Sequence, residues 1–366
     1  MRLRLALAIV AVAACNHDAA FSPRPYTPGQ PSGVGPLVRL TFNPGGDLGP
    51  AWLPDGSGFL YTVERSDRPD LDRCLAQMPA AGGSIAREIC NLTAPSSDSV
   101  DAYTSAAVST AGRLAYVRAS APLGFGWPLS PRRHDLVLAT LADPRRVTVL
   151  ESFPIAAPSG HDHDEAAQVR WLSDQSLVYL AQSVAYIPPC QFCGGRDTIT
   201  IGLEIARLDL GGPAPVLTIL PGTDQASSLT TVGSDTAYFT VYGDSRVFRL
   251  ALGSGTLDVA HDFGAGALPR DVQVSGNRLV AVVGGHMEIG VDSVLGNIVR
   301  DRGGEVHVVD LPSGVDQPQP VSNMLFRHLA LDPAGHVMIA EGYPFVVVPP
   351  DTIFSMSSDL WRFELP

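Results

Sequence analysis

Pro50-Ala51-Trp52-Leu53-Pro54-Asp55-Gly56, followed after Ser57 by Gly58-Phe59-Leu60-Tyr61-Thr62-Val63, decides the fold. Pro-Asp-Gly is a tight-turn sequence, and the run after it is too short for a helix and rich in strand formers. The same turn-then-strand element returns five times. It is Val108-Ser109-Thr110-Ala111-Gly112 before Leu114–Val117, then Val169-Arg170-Trp171-Leu172-Ser173-Asp174 before Leu177–Leu180. The fourth copy is Val232-Gly233-Ser234-Asp235 before Ala237–Val241, and the fifth Val274-Ser275-Gly276-Asn277 before Leu279–Val283. The sixth is Leu331-Asp332-Pro333-Ala334-Gly335 before Val337–Ala340. A third strand follows each copy. In the first five a fourth strand follows across a Gly/Pro turn, as in Glu204–Leu210 with Val216–Leu220 and Glu305–Leu311 with Gln319–Val321.

Six copies between residues 37 and 366, one per about 55 residues, predict an all-β, six-bladed β-propeller of four-stranded blades. The sixth copy stops after its third strand, Leu360–Leu365, while Leu37–Phe42 precedes the first copy and is apolar. Pairing these N-terminal and C-terminal strands closes the ring and leaves no free sheet edge.

Leu40-Thr41-Phe42, Asp47 and the Pro50–Gly56 turn resemble the repeat of TolB-like, WD-like six-bladed propellers. The third copy (Trp171, Asp174) and the sixth (Asp332-Pro333-Ala334-Gly335) match in part, while the second, fourth and fifth depart from the pattern. The resemblance implies an aromatic residue packed between blades; the amino-terminal domain of the TolB-like family is not expected here, since only a tether precedes the propeller. Its motif is structural, so it implies neither catalytic residues nor a substrate.

The chain of 366 residues is 45% hydrophobic and 17% charged, which excludes a disordered protein. Its 36 Gly and 31 Pro, with no long amphipathic period, exclude an all-helical one. Every basic residue is Arg, and the net charge of −12 argues against nucleic-acid binding. Residues 1–14 read as a signal peptide, with Arg2 and Arg4 ahead of the apolar run Leu5–Ala14. Val12-Ala13-Ala14-Cys15 resembles a bacterial lipobox, which makes Cys15 the lipidated residue; the alternative is an ordinary signal peptide with an incidental Cys. Residues 15–36, rich in Pro, Gly and Ser, read as the lipidated Cys and a flexible tether to the propeller at 37–366. Asn16, rather than an Asp, follows the Cys, so the expected location is the cell envelope, at the outer membrane facing periplasm or cell surface.

Four further Cys in an exported chain read as disulfides. Cys74 and Cys90 lie equidistant from Gly82 in a predicted hairpin, which places them opposite each other. Cys190 and Cys193 are a loop staple, a redox pair or half of a metal site.

In a propeller, the loops joining second to third strands share a face with the connections between blades. Four of these loops are expanded: Ala119–His134, Ser183–Thr200, Gly284–Gly304 and Gly342–Ser358. They carry Phe125, Trp127, Tyr186, Phe192, Tyr343, Phe345 and Phe354, a recognition surface or a lid. His134 and His261 lie near the same face. His161-Asp162-His163-Asp164-Glu165, in the connection entering the third blade, offers imidazole and carboxylate ligands. With His286, Glu288 or Glu341 it could hold zinc or another divalent metal; the other reading is a solvated polar loop. No Gly-x-Ser-x-Gly, Walker, His-Glu-x-x-His or dinucleotide motif is present.

The sequence therefore points to a lipid-anchored propeller without cofactor, binding an envelope protein or glycan through its loop-rich face. The rival is a metal-assisted hydrolase of a lactone, ester or sugar, using His161, His163, Asp164 and His286 with Glu341 as base. The anchor has a direct test. Wild-type protein expressed with its leader is expected in the detergent phase of a Triton X-114 separation. Cys15→Ala is expected in the aqueous phase, and a variant still in detergent refutes lipidation at Cys15.

Overall fold

The computed structural model describes residues 37–42, 45–64, 73–90, 99–122, 133–154, 162–187, 197–285, 287–292, 296–301, 303–348, 351–354 and 358–365. Six antiparallel four-stranded sheets account for nearly all of them, and no helix occurs among the described residues. Asp47–Trp52, Gly58–Glu64, Arg73–Pro79 and Arg87–Ile89 form the first blade; Ser99–Val108, Arg113–Pro122, Arg133–Thr140 and Thr148–Pro154 form the second. The third is Asp162–Ser173, Ser176–Ile187, Asp197–Asp209 and Val216–Ile219. The fourth is Ala226–Val232, Thr236–Val241, Arg246–Ala251 and Thr256–Asp262. The fifth is Pro269–Ser275, Arg278–Val283, Glu305–Asp310 and Val315–Gln319.

Within each blade the strands run in sequence from inside to outside. The first strand of each blade contacts the first strand of the next, and that of the sixth contacts that of the first, so six inner strands surround a central channel. The sixth blade is Met324–Leu331, Val337–Val348 and Asp359–Glu364, completed by Val38–Arg39 from the other end of the chain. This is the closure expected from the sequence. It is reinforced by Leu40 N–H on the Leu360 carbonyl (2.8 Å), Leu360 N–H on Thr41 Oγ1 (2.8 Å), and an Arg39–Asp359 ion pair at 2.7 Å.

The sequence pattern follows from this stacking. Second strands have blades on both sides, so Gly58–Val63 is buried at every position and reads as one apolar run. Six core clusters form, one at each junction between blades. Tyr103 and Tyr116 pack on Leu60 and Leu75 between blades one and two, and Ile339 and Leu360 pack on Phe59 and Tyr61 between six and one. The Pro-Asp-Gly turn forms as read: Gly56 has φ +69°, a conformation that side chains resist, and Ser57 N–H bonds Asp55 Oδ1 at 3.0 Å. Trp52 packs between blades and donates Nε1–H to the Ala330 carbonyl of blade six (3.0 Å). Trp171 repeats this on the Ala107 carbonyl of blade two (3.1 Å).

Two readings need correction. The outer strand of the fifth blade is Val315–Gln319, not Gln319–Val321. The chain turns at Ser313-Gly314, and Pro318 lies inside the strand opposite His307, which an outer edge permits because no neighbour needs its N–H. The expanded second-to-third connections are in large part strand. Val184–Ile187 pairs with Asp197–Thr200, Met287–Asp292 with Gly296–Asp301, and Phe345–Val348 with Asp351–Phe354.

Cys74 on the third strand of blade one is disulfide-bonded to Cys90, one residue past the outer strand, with Cα atoms 4.8 Å apart. Their sequence separation of 16 predicts a contribution of about 3 kcal/mol through the unfolded chain. Urea unfolding of Cys74→Ala/Cys90→Ala against wild type measures it, and equal stability would show that the bridge constrains nothing.

Candidate functional site

At one level in all six blades the inner strand holds one residue more than the second strand beside it. The ladder slips between Leu48 and Ala51, Thr104 and Ala107, and Ala167 and Arg170. It slips again between Ala226 and Ser228, Pro269 and Asp271, and Arg327 and Leu329. Gly49, Ser105, Gln168, Ser227, Arg270 and His328 occupy these bulges, and a bulge takes its side chain out of the strand alternation. Gly49 (φ +55°), Ser105 (+53°), Gln168 (+49°) and His328 (+43°) are left-handed. For the three that carry side chains this costs about 1–3 kcal/mol each, a strain that concentrates at functional positions.

The bulges surround the channel above the Pro-Asp-Gly turns. Gly49, Ser105, Gln168, Ser227 and His328 line a cavity of about 420 Å³ together with Arg170, Asp271, Arg327, Glu341 and Tyr343. A second cavity of about 330 Å³ adjoins it over blades four to six, lined by Gln168, Ser227, Tyr242, Leu268, Pro269, Arg270, Asp271, Arg327 and His328 among others. Arg170 also lines a cavity opening on the opposite face beside Trp52 and Trp171, so its side chain stands across the channel.

Every junction between blades is bridged by hydrogen bonds near this level. Thr62 Oγ1 donates to the Tyr103 carbonyl (3.0 Å), Gln168 N–H to Ser105 Oγ (3.3 Å), and Leu229 N–H to Gln168 Oε1 (2.7 Å). Thr230 Oγ1 reaches Gln273 Oε1 at 3.3 Å, Leu329 N–H donates to Asp271 Oδ2, and Gly49 N–H donates to Glu341 Oε1 at 2.6 Å.

The last two bonds belong to a charged cluster. Glu341, on the second strand of blade six, is 0% exposed and also receives His328 Nδ1 at 2.6 Å and the Tyr343 hydroxyl at 3.3 Å. Burial alone would raise its pKa, but His328, Arg327 and the Gly49 N–H outweigh burial and hold it below the usual carboxylate value. Burial likewise opposes charge on His328, and contact with Glu341, aided by Asp271, overcomes this and raises the imidazole pKa. Asp271 is raised by burial, partly offset by His328, the Leu329 N–H and Arg170. The cluster is therefore a His–Glu ion pair with its carboxylate buried and 38% of the His328 side chain open to the cavity, and with Asp271 and Arg170 near enough to influence each other's charge.

The residues singled out from sequence are distributed unevenly around this site. Tyr343 lines the cavity but is only 7% exposed, because its ring is packed and its hydroxyl is held by Glu341; it is not part of an exposed aromatic rim. Glu341 is in the channel, already held by three donors, and so is poorly placed as a free base. Phe345 is half-buried on the hairpin Phe345–Val348 with Asp351–Phe354. His163 and Asp164 belong to the inner strand of blade three rather than to a connecting loop, with a ladder irregularity between His163 and Glu165. Tyr186 lies on the second strand of that blade and Glu288 on the small added hairpin. Cys15, Phe125, Trp127, His161, Cys190, Phe192, Cys193 and His286 lie outside the described residues. Among the described residues, the one grouping of three metal-ligating side chains is Cys74, Glu88 and Cys90, and two of these form the disulfide. Arg170, Asp271, Arg327 and His328 were not singled out by sequence. The available signal was Arg327-His328, a charged pair interrupting the otherwise apolar strand Met324–Leu331.

No family model matches the sequence, and no curated protein matches it. Among solved structures, TolB from Acinetobacter baumannii is similar with a TM-score of 0.41 and 14% identity, over 87% of this chain and 63% of that one. The chain thus spans less than two thirds of the length of that structure. An oligogalacturonate lyase from Vibrio parahaemolyticus gives 0.47 and 10% identity over 90% and 93%. The β-propeller domain of Cps50 (Swd1) from Myceliophteria thermophila gives 0.43 and 10% over 89% and 99%. These likenesses concern the fold, and the six blades stand on the strand pairing itself.

The His328–Glu341 pair predicts a pH profile. Asn tolerates the left-handed backbone, so His328→Asn removes the imidazole with little backbone penalty. Because His328 is raised, the stability advantage of wild type is complete below the ordinary imidazole value of about 6.5 and is lost as pH rises through the raised value. Because Glu341 is lowered, the advantage also falls as pH drops through its depressed value. Melting temperatures of both proteins across pH measure this, and a difference independent of pH would contradict it.

Proposed function

We propose that this chain is an exported, lipid-anchored binding module that takes its ligand at the mouth of the central channel, on the face of the second-to-third-strand connections. The observation that carries the reading is that five of the six bulges, all at one level, line the 420 Å³ cavity. Bulges re-aim side chains and are over-represented beside functional sites, and the cavity volume is within the range of ligand sites. The disulfide supports export, because such bridges persist in oxidising compartments. The ligand in this reading is a group presented by an envelope protein or glycan partner, and the rigid blades hold the receiving side chains in place before it arrives.

Ser227→Trp tests the location, since Ser227 lines both upper cavities and an indole there fills their shared wall. In a ligand-observed NMR screen of small polar and aromatic fragments, hits on wild type are expected to disappear with the Ser227→Trp protein, provided its melting temperature is near wild type. Fragments that bind both proteins equally would move the site away from the mouth.

A further inference from the structure

His328 has one ring nitrogen tied down and the other open. Nδ1 lies 2.6 Å from Glu341 Oε1, whereas Nε2 makes no hydrogen bond among the described residues, and the side chain lines both upper cavities. Glu341 is held below the usual carboxylate value, so it is ionised and only accepts. Nδ1 is therefore the donor, and Nε2 is the atom at which the imidazole gains or loses a proton.

The carboxylate is itself fixed. Its oxygens take the Gly49 N–H (2.6 Å) and the Tyr343 hydroxyl (3.3 Å), and it is 0% exposed. It belongs to no grouping of three metal-ligating side chains among the described residues. A buried carboxylate on Nδ1 sets the direction of the ring and stabilises the charge that the ring acquires when Nε2 takes a proton. The backbone adds to this, since His328 sits in the bulge of blade six at φ +43°, a strained conformation that aims the ring into the channel.

The serines of the neighbouring bulges are engaged elsewhere. Ser105 Oγ takes the Gln168 N–H at 3.3 Å, and Ser227 Oγ pairs with Thr240 Oγ1 at 2.8 Å. The nucleophile that Nε2 can serve is then water. Part of the wall is apolar, with Leu268, Pro269 and Val282 lining the cavity over blades four to six, which suits an uncharged acyl group. Among acyl compounds, esters are the class that water activated by one imidazole can cleave, because an alcohol leaves the tetrahedral intermediate far more readily than an amine does.

We propose that His328 is a general base at the channel mouth, positioned by Glu341, and that the site hydrolyses an uncharged carboxylic ester with an apolar acyl group. Water oxygen bonds to the ester carbonyl carbon while Nε2 takes the water proton. The imidazolium returns that proton to the departing alcohol oxygen as the carbon–oxygen bond breaks. One ester and one water give one acid and one alcohol, and His328 is regenerated. This rests on the proposed ligand site at the channel mouth and adds a reaction to it.

Incubation of the full folded chain with p-nitrophenyl butyrate, with p-nitrobutyranilide as the amide control, tests it. The chain has no Lys, so acylation of lysine does not mimic turnover. Saturable release of nitrophenolate is expected, slower in D2O than in water, with little release from the anilide. His328→Asn is expected to lower kcat by about a hundredfold or more, the contribution of one acid–base group. Ser227→Trp, which blocks access, is expected to abolish turnover and serves the same purpose if His328→Asn does not fold.

The charged and titratable groups around His328 are Glu341 and Tyr343 on the second strand, Arg327 on its own strand, Asp271 and Arg270 on blade five, and Arg170 on blade three. Blade one lines the cavity with uncharged Leu48–Ala51. Burial disfavours the imidazolium, but Glu341 and Asp271 outweigh burial and Arg327, so kcat is expected to rise with pH through a midpoint above about 6.5. Glu341→Gln is expected to lower both kcat and that midpoint, whereas a midpoint that does not move overturns the positioning role. Turnover unchanged in His328→Asn, or no turnover above the buffer rate at any pH, overturns the activity. The binding reading is judged separately. Fragments that bind wild type but not Ser227→Trp leave it standing, and fragments that bind both proteins equally overturn it together with the activity.

Discussion

The fold depends on a ring that must close on itself. Six sheets stacked face to face bury their apolar sides only if the last meets the first, and here that meeting uses the two ends of the chain. Val38–Arg39 completes the sixth blade, Trp52 reaches back to Ala330, and the Gly49 N–H reaches back to Glu341. The core cluster between blades six and one has the same character as the other five, Phe59 and Tyr61 against Ile339 and Leu360. Removing any one of these junctions exposes two sheet faces at once, so the blades do not stabilise one another independently.

Closure also explains why polar chemistry collects in the channel. Inner strands converge there, and at each junction a side chain or a bulged backbone bonds across to the next blade. Once a bulge exists, its residue no longer belongs to either face of the sheet and projects into the space all six blades share. Gln168 shows the coupling: its own N–H bonds Ser105 of the preceding blade, and its side chain accepts from Leu229 of the following one. The residues that hold the ring together and those that line the cavity are therefore in part the same. Substitutions there are expected to change binding and stability together unless they preserve the backbone conformation.

Much of the architecture was legible in the sequence because it is written in local features. Pro54-Asp55-Gly56 marks a turn by its own conformational preferences, and Gly58–Val63 marks a doubly covered strand by its unbroken apolarity. Cys74 and Cys90 could be paired because a hairpin maps distance along the chain onto position across it. The site was less legible for the opposite reason. Arg170, Asp271, Arg327, His328 and Glu341 come from inner and second strands of three blades and form no spacing motif. Ser105, Gln168 and His328 take a backbone conformation that nothing in their residue type announces. Proline also misled: Pro318 read as a turn, whereas an outer strand accepts it.

The strand that completes the sixth blade is also the point through which the preceding 37 residues connect to the folded ring. Any pull on that leading segment is received first by two paired residues, Val38 with Arg362 and Arg39 with Trp361, and by the Arg39–Asp359 bridge. Their hydrogen bonds lie across the direction of the strand, so tension loads them side by side in shear rather than one after another. Beyond them the load passes to Leu40 and Thr41, which are fastened to Leu360 at the centre of the closing junction. A mechanical event at the terminus is thus delivered to the one seam of the propeller that covalent continuity does not secure.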